Sequence, residues 1–355
     1  MIPRLPIIRF VSVLVFALVA STSALAAVKV ACVGDSITAG YALADPACDA
    51  YPSQLARLLG DSYEVRNFGV SAATLMDAGN YPYRERPAHA EALAWGADVV
   101  VIALGTNDTK LDNLAAHPDN FLPSYHGLIA RLRAANPAAK FVLCLPPPAF
   151  PEGMGISNQI LEAQILPLIR QVAADEKLTL LDLHTPLADA AEHFPDKIHP
   201  DAVAAGRIAR LVYGEVMFAT TPPAQSLDPA VNTAVVPVTR LEDDSYNWWT
   251  RHAEVLATGA SAAPEVVMIG DSITHFWAGE PCANNVNGPQ AWAATFGARR
   301  VLNLGFGWDR TQNVLWRLDH GEFAGLHPKL VILNIGTNNF SATPHSRANT
   351  PDEVA

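Results

Sequence analysis

Short apolar runs alternate with stretches of helical periodicity along the chain from Val28 onward. Continuous apolar runs rich in β-branched residues are typical of strands that are buried on both faces of a parallel sheet. Runs of this kind predict five strands, over residues 28–33, 63–68, 99–104, 141–145 and 178–181. Because parallel strands need long crossover connections, usually helices, the pattern predicts a doubly wound α/β domain over residues 28–218.

Three helices are predicted between or after these strands. In the first, Phe121, Tyr125, Leu128, Ile129 and Leu132 form one apolar stripe with a helical period, and the Asn-Pro pair at 136–137 ends it. The second is predicted over residues 157–175, with a bend at the proline at position 167 because proline cannot donate a helical hydrogen bond. The third is predicted from residue 201 to about residue 218.

Three short motifs occur twice in the same order. The motif Gly-Asp-Ser-Ile-Thr occurs at 34–38 and 270–274, Asn-x-Gly at 67–69 and 303–305, and Gly-Thr-Asn at 105–107 and 336–338. The interval from the serine of the first motif to the glycine of the second is 33 residues in both copies. The repetition predicts a first copy over residues 28–218 and a partial second copy over residues 238–355, joined by a proline-rich linker over residues 219–237.

Residues 1–27 resemble a secretory signal peptide. Arg4 and Arg9 lie before an apolar stretch that begins at residue 10. Ala-Leu-Ala at 24–26 provides a small-x-small cleavage pattern. We therefore expect a secreted or periplasmic protein with no stable membrane insertion after cleavage. The alternative is an uncleaved N-terminal anchor, because the 19 residues from 10 to 28 carry no charge and are just long enough to span a bilayer.

Composition and charge exclude several classes of protein. A net charge of −11 and a pI near 5.4 argue against a nucleic-acid partner, since such binding depends on Lys and Arg contacts to phosphate. Four cysteines in 355 residues do not form a disulfide framework. We expect Cys32 and Cys144 to be buried in strands, and leave open whether Cys48 and Cys282 form a disulfide. No group of His, Cys, Asp and Glu has metal-ligand spacing, so we expect neither a metal nor another cofactor.

Residues suited to acyl transfer follow three predicted strands of the first copy. Ser36 comes after the first strand, Gly69 after the second and Asn107 after the third. Because ligands bind at the carboxyl edge of a parallel sheet, we expect these residues to meet there. The Ser36 hydroxyl would be the nucleophile, and the amides of Ser36 and Gly69 with the Asn107 side chain would donate hydrogen bonds to an oxyanion.

A serine hydroxyl also needs a general base. Asp196 and His199 lie three residues apart in a short loop before the last predicted helix of the first copy. The carboxylate can hold one ring nitrogen of the histidine while the other nitrogen faces Ser36. Asp182 and His184 form a competing pair, which we interpret as structural because it directly follows the fifth strand.

With these motifs the chain resembles the SGNH, or GDSL, hydrolase family of serine esterases and lipases. The resemblance covers about residues 28–218 with all four motifs and about residues 264–340 with three. It implies that Ser36, Asp196 and His199 form a catalytic triad and that Ser36, Gly69 and Asn107 form the oxyanion hole. It also implies the flavodoxin-like three-layer α/β/α sandwich of that family.

The second copy matches only part of this pattern. Ser272, Gly305 and Asn338 correspond to the nucleophile and oxyanion positions, and residues 303–311 are similar to the family branch that contains platelet-activating-factor acetylhydrolase subunits and carbohydrate acetylesterases. No acid–base motif follows, so we expect these positions to be vestigial. The third strand, predicted over residues 330–335, would have an unpaired apolar edge. Three interpretations stay open: a truncated product, which we favour, a degenerate accessory module, or a half-domain completed by a partner chain.

The sequence therefore predicts an exported serine esterase that hydrolyses carboxylic esters through an acyl-serine intermediate. The resemblance of the second copy favours short acyl groups, such as acetyl, on a glycan or another small ester substrate. A lysophospholipase, short-chain lipase or arylesterase is the alternative enzyme. A non-catalytic binding module is the alternative of another class, and applies to the second copy.

Overall fold

The computed structural model describes residues 26–150, 153–223 and 225–355, so the predicted signal peptide lies almost wholly outside the described residues. The strands are β1 (Val28–Gly34), β2 (Tyr63–Gly69), β3 (Val99–Ala103), β4 (Lys140–Leu145), β5 (Thr179–Asp182), β6 (Val266–Gly270), β7 (Val301–Gly305) and β8 (Leu330–Asn334). None of the helices within these ranges is both long enough and apolar enough to cross a membrane.

The helices lie between and after the strands. They are α1 (Ser36–Ala39), α2 (Pro46–Asp49), α3 (Tyr51–Leu59), α4 (Pro87–Trp95), α5 (Phe121–Ala135), α6 (Asn158–Ile160), α7 (Leu166–Glu176), α8 (Ala202–Thr220), α9 (Trp248–Ala262), α10 (Ser272–His275), α11 (Pro289–Phe296), α12 (Thr311–Asp319) and α13 (Pro351–Val354). Single 3₁₀ turns occur at Tyr83–Glu85, Asn107–Thr109, Thr185–Leu187, Ala191–His193, Thr233–Val235 and Thr337–Phe340.

The first five strands form one parallel sheet in the order β2-β1-β3-β4-β5. This is the flavodoxin-like strand order, and every predicted strand of the first copy is present with its ends within one residue. Side chains of one strand alternate between two apolar cores, so that Val30 and Cys32 contribute to one core and Ala31 and Val33 to the other. Helices α3 and α8 cover the first core, and α5 and α7 cover the second. The predicted three-layer α/β/α sandwich is therefore confirmed.

The predicted bend at Pro167 corresponds to a change in helical geometry. A π-helical segment, Leu161–Ile165, connects α6 to α7, and Pro167 occupies the first turn of α7. Proline has no backbone N–H and its ring crowds the preceding turn, so a continuous α-helix with a 3.6-residue period cannot run through this position unperturbed. The wider π turn accommodates the proline without ending the helical segment.

The last three strands form a second parallel sheet in the order β7-β6-β8. Its registers repeat those of β2, β1 and β3, and Gly270 lies opposite Gly305 as Gly34 lies opposite Gly69. Strand β8 lies at the outer edge of this sheet within the described residues, and Leu330 and Leu333 are 51% and 62% exposed. The apolar edge expected from the sequence is thus present, while a partner chain that covers it stays a prediction.

The two copies share one apolar core through helices α8 and α9. Val212 of α8 and Trp249 of α9 are both fully buried in the core that covers one face of the first sheet. The two helices approach closely at Gly214, where a Cβ atom would lie 1.9 Å from Thr250 Oγ1. Glycine at this position removes the steric barrier to that approach.

The predicted linker also contacts the second copy. Asn232 Nδ2 donates to the Glu353 backbone carbonyl at 3.2 Å. Just beyond the predicted linker, the Val238 backbone N–H donates to the Gln312 carbonyl at 3.2 Å. Hydrogen bonds of this kind hold part of the segment to the second copy, so it does not behave as a free proline-rich spacer.

We expect Gly214→Val to destabilise the folded protein by about 1–3 kcal/mol, because its branched side chain must displace Thr250 from the α8–α9 contact. Urea unfolding measures this loss. Gly127→Ala in α5 is the control, since its Cβ would meet only the flexible end of Arg131 and alanine favours a helix by about 1 kcal/mol. Wild-type stability of the Gly214→Val variant would show that the helices do not pack this closely.

Candidate active site

Ser36 is the first residue of α1, immediately beyond the carboxyl end of β1. Asp35 caps this short helix, and its Oδ1 accepts the Ile37 backbone N–H at 2.9 Å. Gly34 makes the turn possible because a Cβ there would lie 2.0 Å from Thr38 Oγ1 and 2.9 Å from the Ala103 carbonyl oxygen. The strand end and the tight turn therefore hold the Ser36 hydroxyl at the edge of the sheet.

The loop before α8 brings His199 to Ser36. His199 Nε2 lies 2.8 Å from Ser36 Oγ, and His199 Nδ1 lies 2.7 Å from Asp196 Oδ2. His199 is 4% exposed, and its imidazole packs against the Tyr41 ring with centroids 4.6 Å apart. The three residues thus form a continuous hydrogen-bonded line, with the histidine between a hydroxyl and a carboxylate.

The Asp196 carboxylate is held by three hydrogen bonds. Its Oδ1 accepts the backbone N–H groups of His199 and Ile198 at 2.7 Å and 3.0 Å, in addition to the imidazole contact of Oδ2. Burial acts to raise the pKa of Asp196, but these hydrogen bonds outweigh it and keep the pKa below its ordinary value. Asp196 therefore remains a carboxylate that fixes the orientation of the imidazole over the whole neutral range.

Asn107 reaches the same edge of the sheet from the turn after β3. Its Nδ2 donates one hydrogen bond to the Ala73 carbonyl at 3.1 Å, which leaves the second N–H of the amide free. Ser36 and Asn107 both line one pocket with His199. Within the described residues, the backbone N–H of Ser36 has no hydrogen-bond acceptor. The structure therefore leaves two of the three expected N–H donors available at this point.

The prediction that the Gly69 backbone N–H donates to the oxyanion is wrong. Its backbone N–H donates to Asn67 Oδ1 at 2.9 Å, and Gly69 is not among the residues that line the pocket. A Cβ at Gly69 would lie 2.3 Å from the Ala39 backbone nitrogen, so glycine is needed for close packing of β2 against α1. Gly69 is thus a packing residue, and its amide is already engaged.

Ala72 is the better candidate for the third donor. It lines the pocket, and its N–H has no acceptor among the described residues. Its φ of +68° lies in the left-handed region, which is uncommon for a residue with a side chain and turns the backbone away from an ordinary strand exit. The run of small residues at 71–73 was the only signal in the sequence, because a left-handed alanine cannot be recognised from its residue type.

Asp108 ties this loop to the Asn107 turn. Its two carboxylate oxygens accept the backbone N–H groups of Leu75 and Met76, each at 2.9 Å. Burial raises the pKa of Asp108 to about 6, although the two hydrogen bonds favour the charged form. Asp108 thus holds the segment that carries Ala72 beside Asn107, which the sequence analysis did not anticipate.

The pocket in front of Ser36 has a volume of about 210 Å³. Met154, Ile156 and Ile198 form an apolar part of its wall, and Lys110 supplies a cation. The pocket therefore suits a small, partly apolar group next to the serine.

The second copy repeats the frame of this site but not its base. Asn338 Nδ2 donates to the Asp309 carbonyl at 3.0 Å, as Asn107 does to Ala73, and the Gly305 N–H donates to Asn303 Oδ1 at 2.8 Å. The Ser272 hydroxyl has no histidine within hydrogen-bond distance among the described residues. His275 follows Ser272 by three residues, but its Nδ1 accepts the Gly307 N–H at 3.2 Å.

The remaining candidate residues take structural positions. Asp182 Oδ1 accepts the backbone N–H groups of His184 and Thr185, which caps the turn after β5. All four cysteines are free thiols, with Cys32 and Cys144 buried and Cys48 and Cys282 exposed. In the part of the chain that the structure describes, no cluster of His, Cys, Asp and Glu could hold a metal ion.

Replacing Asp108 with asparagine should destabilise the protein by about 1–3 kcal/mol, because an amide has only one oxygen for two buried N–H donors. The backbone amide of Leu75 or Met76 should also exchange with solvent faster. Urea unfolding and hydrogen exchange above pH 7 measure both effects. Asp112→Asn, an exposed change in the same loop, is the control; equal behaviour of the two variants would refute the role of Asp108.

Comparison with known proteins gives several partial matches. An acetylxylan esterase from Xylanibacter ruminicola is 38% identical over 203 residues, covering 52% of this chain and 42% of that protein. The human platelet-activating factor acetylhydrolase IB subunit alpha1 is 36% identical over 107 residues, covering 30% of this chain and 42% of that protein. The chain therefore spans about two fifths of the length of these curated relatives.

A solved structure and a family match extend this comparison. The structure of a putative arylesterase from Agrobacterium tumefaciens is 25% identical, with a TM-score of 0.43 over 53% of this chain and 98% of that one. The sequence model of the GDSL-like lipase/acylhydrolase family matches residues 32–205 and 268–353, one region in each copy. Because these two regions together span more than half of the sequence, the chain belongs to the GDSL-like lipase/acylhydrolase family of ester hydrolases.

Proposed function

We propose that this protein is an exported serine esterase that removes short acyl groups from carbohydrate esters, with Ser36, His199 and Asp196 as its catalytic triad. The observation that carries the proposal is the hydrogen-bonded line from Asp196 Oδ2 through His199 to Ser36 Oγ, with distances of 2.7 Å and 2.8 Å. A hydroxyl that faces an imidazole oriented by a carboxylate is the arrangement that activates serine for attack on an ester.

In the acylation step, Ser36 Oγ attacks the ester carbonyl carbon while His199 Nε2 takes the hydroxyl proton. The imidazolium that forms is stabilised by the Asp196 carboxylate. The carbonyl oxygen becomes an oxyanion, which accepts hydrogen bonds from the free N–H groups of Ser36, Ala72 and Asn107. Collapse of this intermediate breaks the ester bond, and His199 gives its proton to the departing alcohol.

In the deacylation step, water takes the place of the alcohol. His199 Nε2 accepts a proton from the water as its oxygen attacks the acyl carbon of the acyl-Ser36 ester. The second oxyanion intermediate uses the same three N–H donors. Collapse of this intermediate releases the carboxylic acid, and His199 returns its proton to Ser36 Oγ. The free enzyme is thereby regenerated, and the reaction consumes no cofactor.

The size of the pocket and one relative support the proposed substrate class. A volume of about 210 Å³ fits acetyl and other short acyl groups better than a long acyl chain. The 38% identical relative is an acetylxylan esterase, which supports an O-acetylated glycan as substrate. A lysophospholipid is the second candidate, because Lys110 lines the pocket and can pair with a phosphate.

Export is proposed from the N-terminal sequence, in which basic residues, an apolar stretch and an Ala-Leu-Ala motif at 24–26 occur in the order of a signal peptide. For the second copy we propose a non-catalytic role, supported by the absence of a base at Ser272 among the described residues. The first copy alone then carries the ester chemistry.

Ser36→Ala should lower kcat for p-nitrophenyl acetate by at least about 10⁴-fold, because no other hydroxyl faces His199 Nε2 within the described residues. Asp196→Asn should lower it by roughly 10⁴-fold through loss of the oriented imidazole. Ser272→Ala is the matched control and should leave kcat unchanged. The proposal fails if Ser36→Ala retains activity, and the assignment of the second copy fails if Ser272→Ala loses it.

The acyl and leaving-group preference follows from a substrate series. We expect kcat/KM to be highest for p-nitrophenyl acetate and to fall at least tenfold by octanoate, since the longer chain exceeds the pocket. Acetate release from acetylated xylan should exceed fatty-acid release from lysophosphatidylcholine. Lys110→Ala should leave the xylan activity unchanged. Preferred hydrolysis of lysophosphatidylcholine, reduced by Lys110→Ala, would instead favour the second candidate.

A further inference from the structure

A second cleft lies between the two copies and shares no residue with the Ser36 pocket. Its volume is about 260 Å³. The first copy contributes Pro186 and Glu215, and the second contributes Thr250, Glu254 and His275. The proposed reaction uses none of these polar groups, and among those named here Glu215 and Thr250 also take part in the contact between the copies.

His275 presents a fixed hydrogen-bond donor to the cleft. The residue is 2% exposed, and its Nδ1 accepts the Gly307 N–H at 3.2 Å. Burial, together with Arg251 and Arg317, lowers the pKa of His275 to about 2, so the ring is neutral and its hydrogen is on Nε2. That Nε2–H has no acceptor among the described residues. This donor is therefore available to a ligand or to water in the cleft.

Two carboxyl groups supply acceptors in the same cleft. Glu215 Oε1 accepts the Asn247 amide at 3.1 Å, and its other oxygen has no donor among the described residues. Glu254 has no hydrogen-bond partner there at all. Burial raises the pKa of both carboxyls, which are therefore in a partly apolar environment where a hydrogen bond from a ligand is worth more than in water.

Among the described residues that line the cleft, Arg251 is the one cation, while Arg207 and Arg210 lie near enough to Glu254 to oppose the rise in its pKa. The guanidinium of Arg251 already donates to the backbone carbonyls of Gly305, Pro281 and Asn303 at 2.7–3.1 Å. Two carboxyl groups close to an anion would repel it. A ligand that both donates to Glu215 and Glu254 and accepts from His275 needs several neutral hydroxyl groups, each of which is donor and acceptor.

We propose that this inter-copy cleft binds a neutral sugar residue, through donation of its hydroxyl groups to Glu254 and Glu215 and acceptance from His275 Nε2. A volume of about 260 Å³ accommodates one such ring. The inference rests on the proposed function in one respect only: if the substrate is a glycan, the cleft is a second attachment point for the same chain.

Xylobiose binding to the full-length protein, measured by calorimetry, tests this directly. We expect Glu254→Leu to weaken xylobiose binding by roughly tenfold or more, because it removes a charged acceptor from the cleft. Ala283→Met, on the loop that lines the cleft, should do the same by filling the space and carries little risk to folding. Glu85→Leu, which removes an exposed carboxylate elsewhere, and Ser36→Ala should leave binding unchanged.

Steady-state kinetics then distinguish a loss of binding at the cleft from a loss of catalysis at the active site. Both cleft variants should raise KM for acetylated xylan several-fold with kcat unchanged, and should leave p-nitrophenyl acetate hydrolysis at the wild-type rate. The proposal is overturned if wild-type protein does not bind xylobiose, if neither cleft variant weakens binding, or if glucuronate binds more tightly than xylobiose. Retained esterase activity in Ser36→Ala, which would overturn the proposed function, has no bearing on the calorimetry, so the two proposals fail independently.

Discussion

The contact of 2.8 Å between Ser36 Oγ and His199 Nε2 is the constraint on which the site depends. It joins residues 163 positions apart, so it exists only if β1 and the loop before α8 end at the same edge of the sheet. The parallel sheet meets this condition because all five strands point their carboxyl ends in one direction. The imidazole keeps its orientation because the Asp196 carboxylate is fixed by backbone N–H groups of its own turn.

The second copy retains the backbone features that build the site but, in the described part of the chain, lacks the residues that would activate the serine. Both copies retain a glycine at the strand end, where a Cβ would lie about 2 Å from a threonine hydroxyl, and an Asn-x-Gly clamp on the following helix. These features are requirements of close backbone packing, so they persist whether or not a base is present. The His199 loop has no counterpart beside Ser272 among the described residues, which makes the nucleophile position inert in our interpretation.

Most of the fold was predictable because its signals are local. A strand buried on both faces must be apolar along its whole length, and a helix that covers a sheet must repeat its apolar residues every three to four positions. The π-helical segment before Pro167 was foreseen only as a bend, since its geometry depends on how α7 packs. The contacts of the predicted linker were missed, because hydrogen bonds such as Asn232 to Glu353 join residues that are far apart in sequence.

For the site, the sequence by itself determined the chemical groups: a hydroxyl, an Asp-x-x-His pair and an amide, each next to a strand or helix end. It could not determine which backbone N–H groups are free, because that depends on what else accepts them. The tertiary structure decided that Gly69 donates to Asn67 while Ala72, in a left-handed conformation held by the Asp108-tied loop, keeps its N–H free. Residue types are local properties, whereas the availability of a donor is a property of the whole surrounding network.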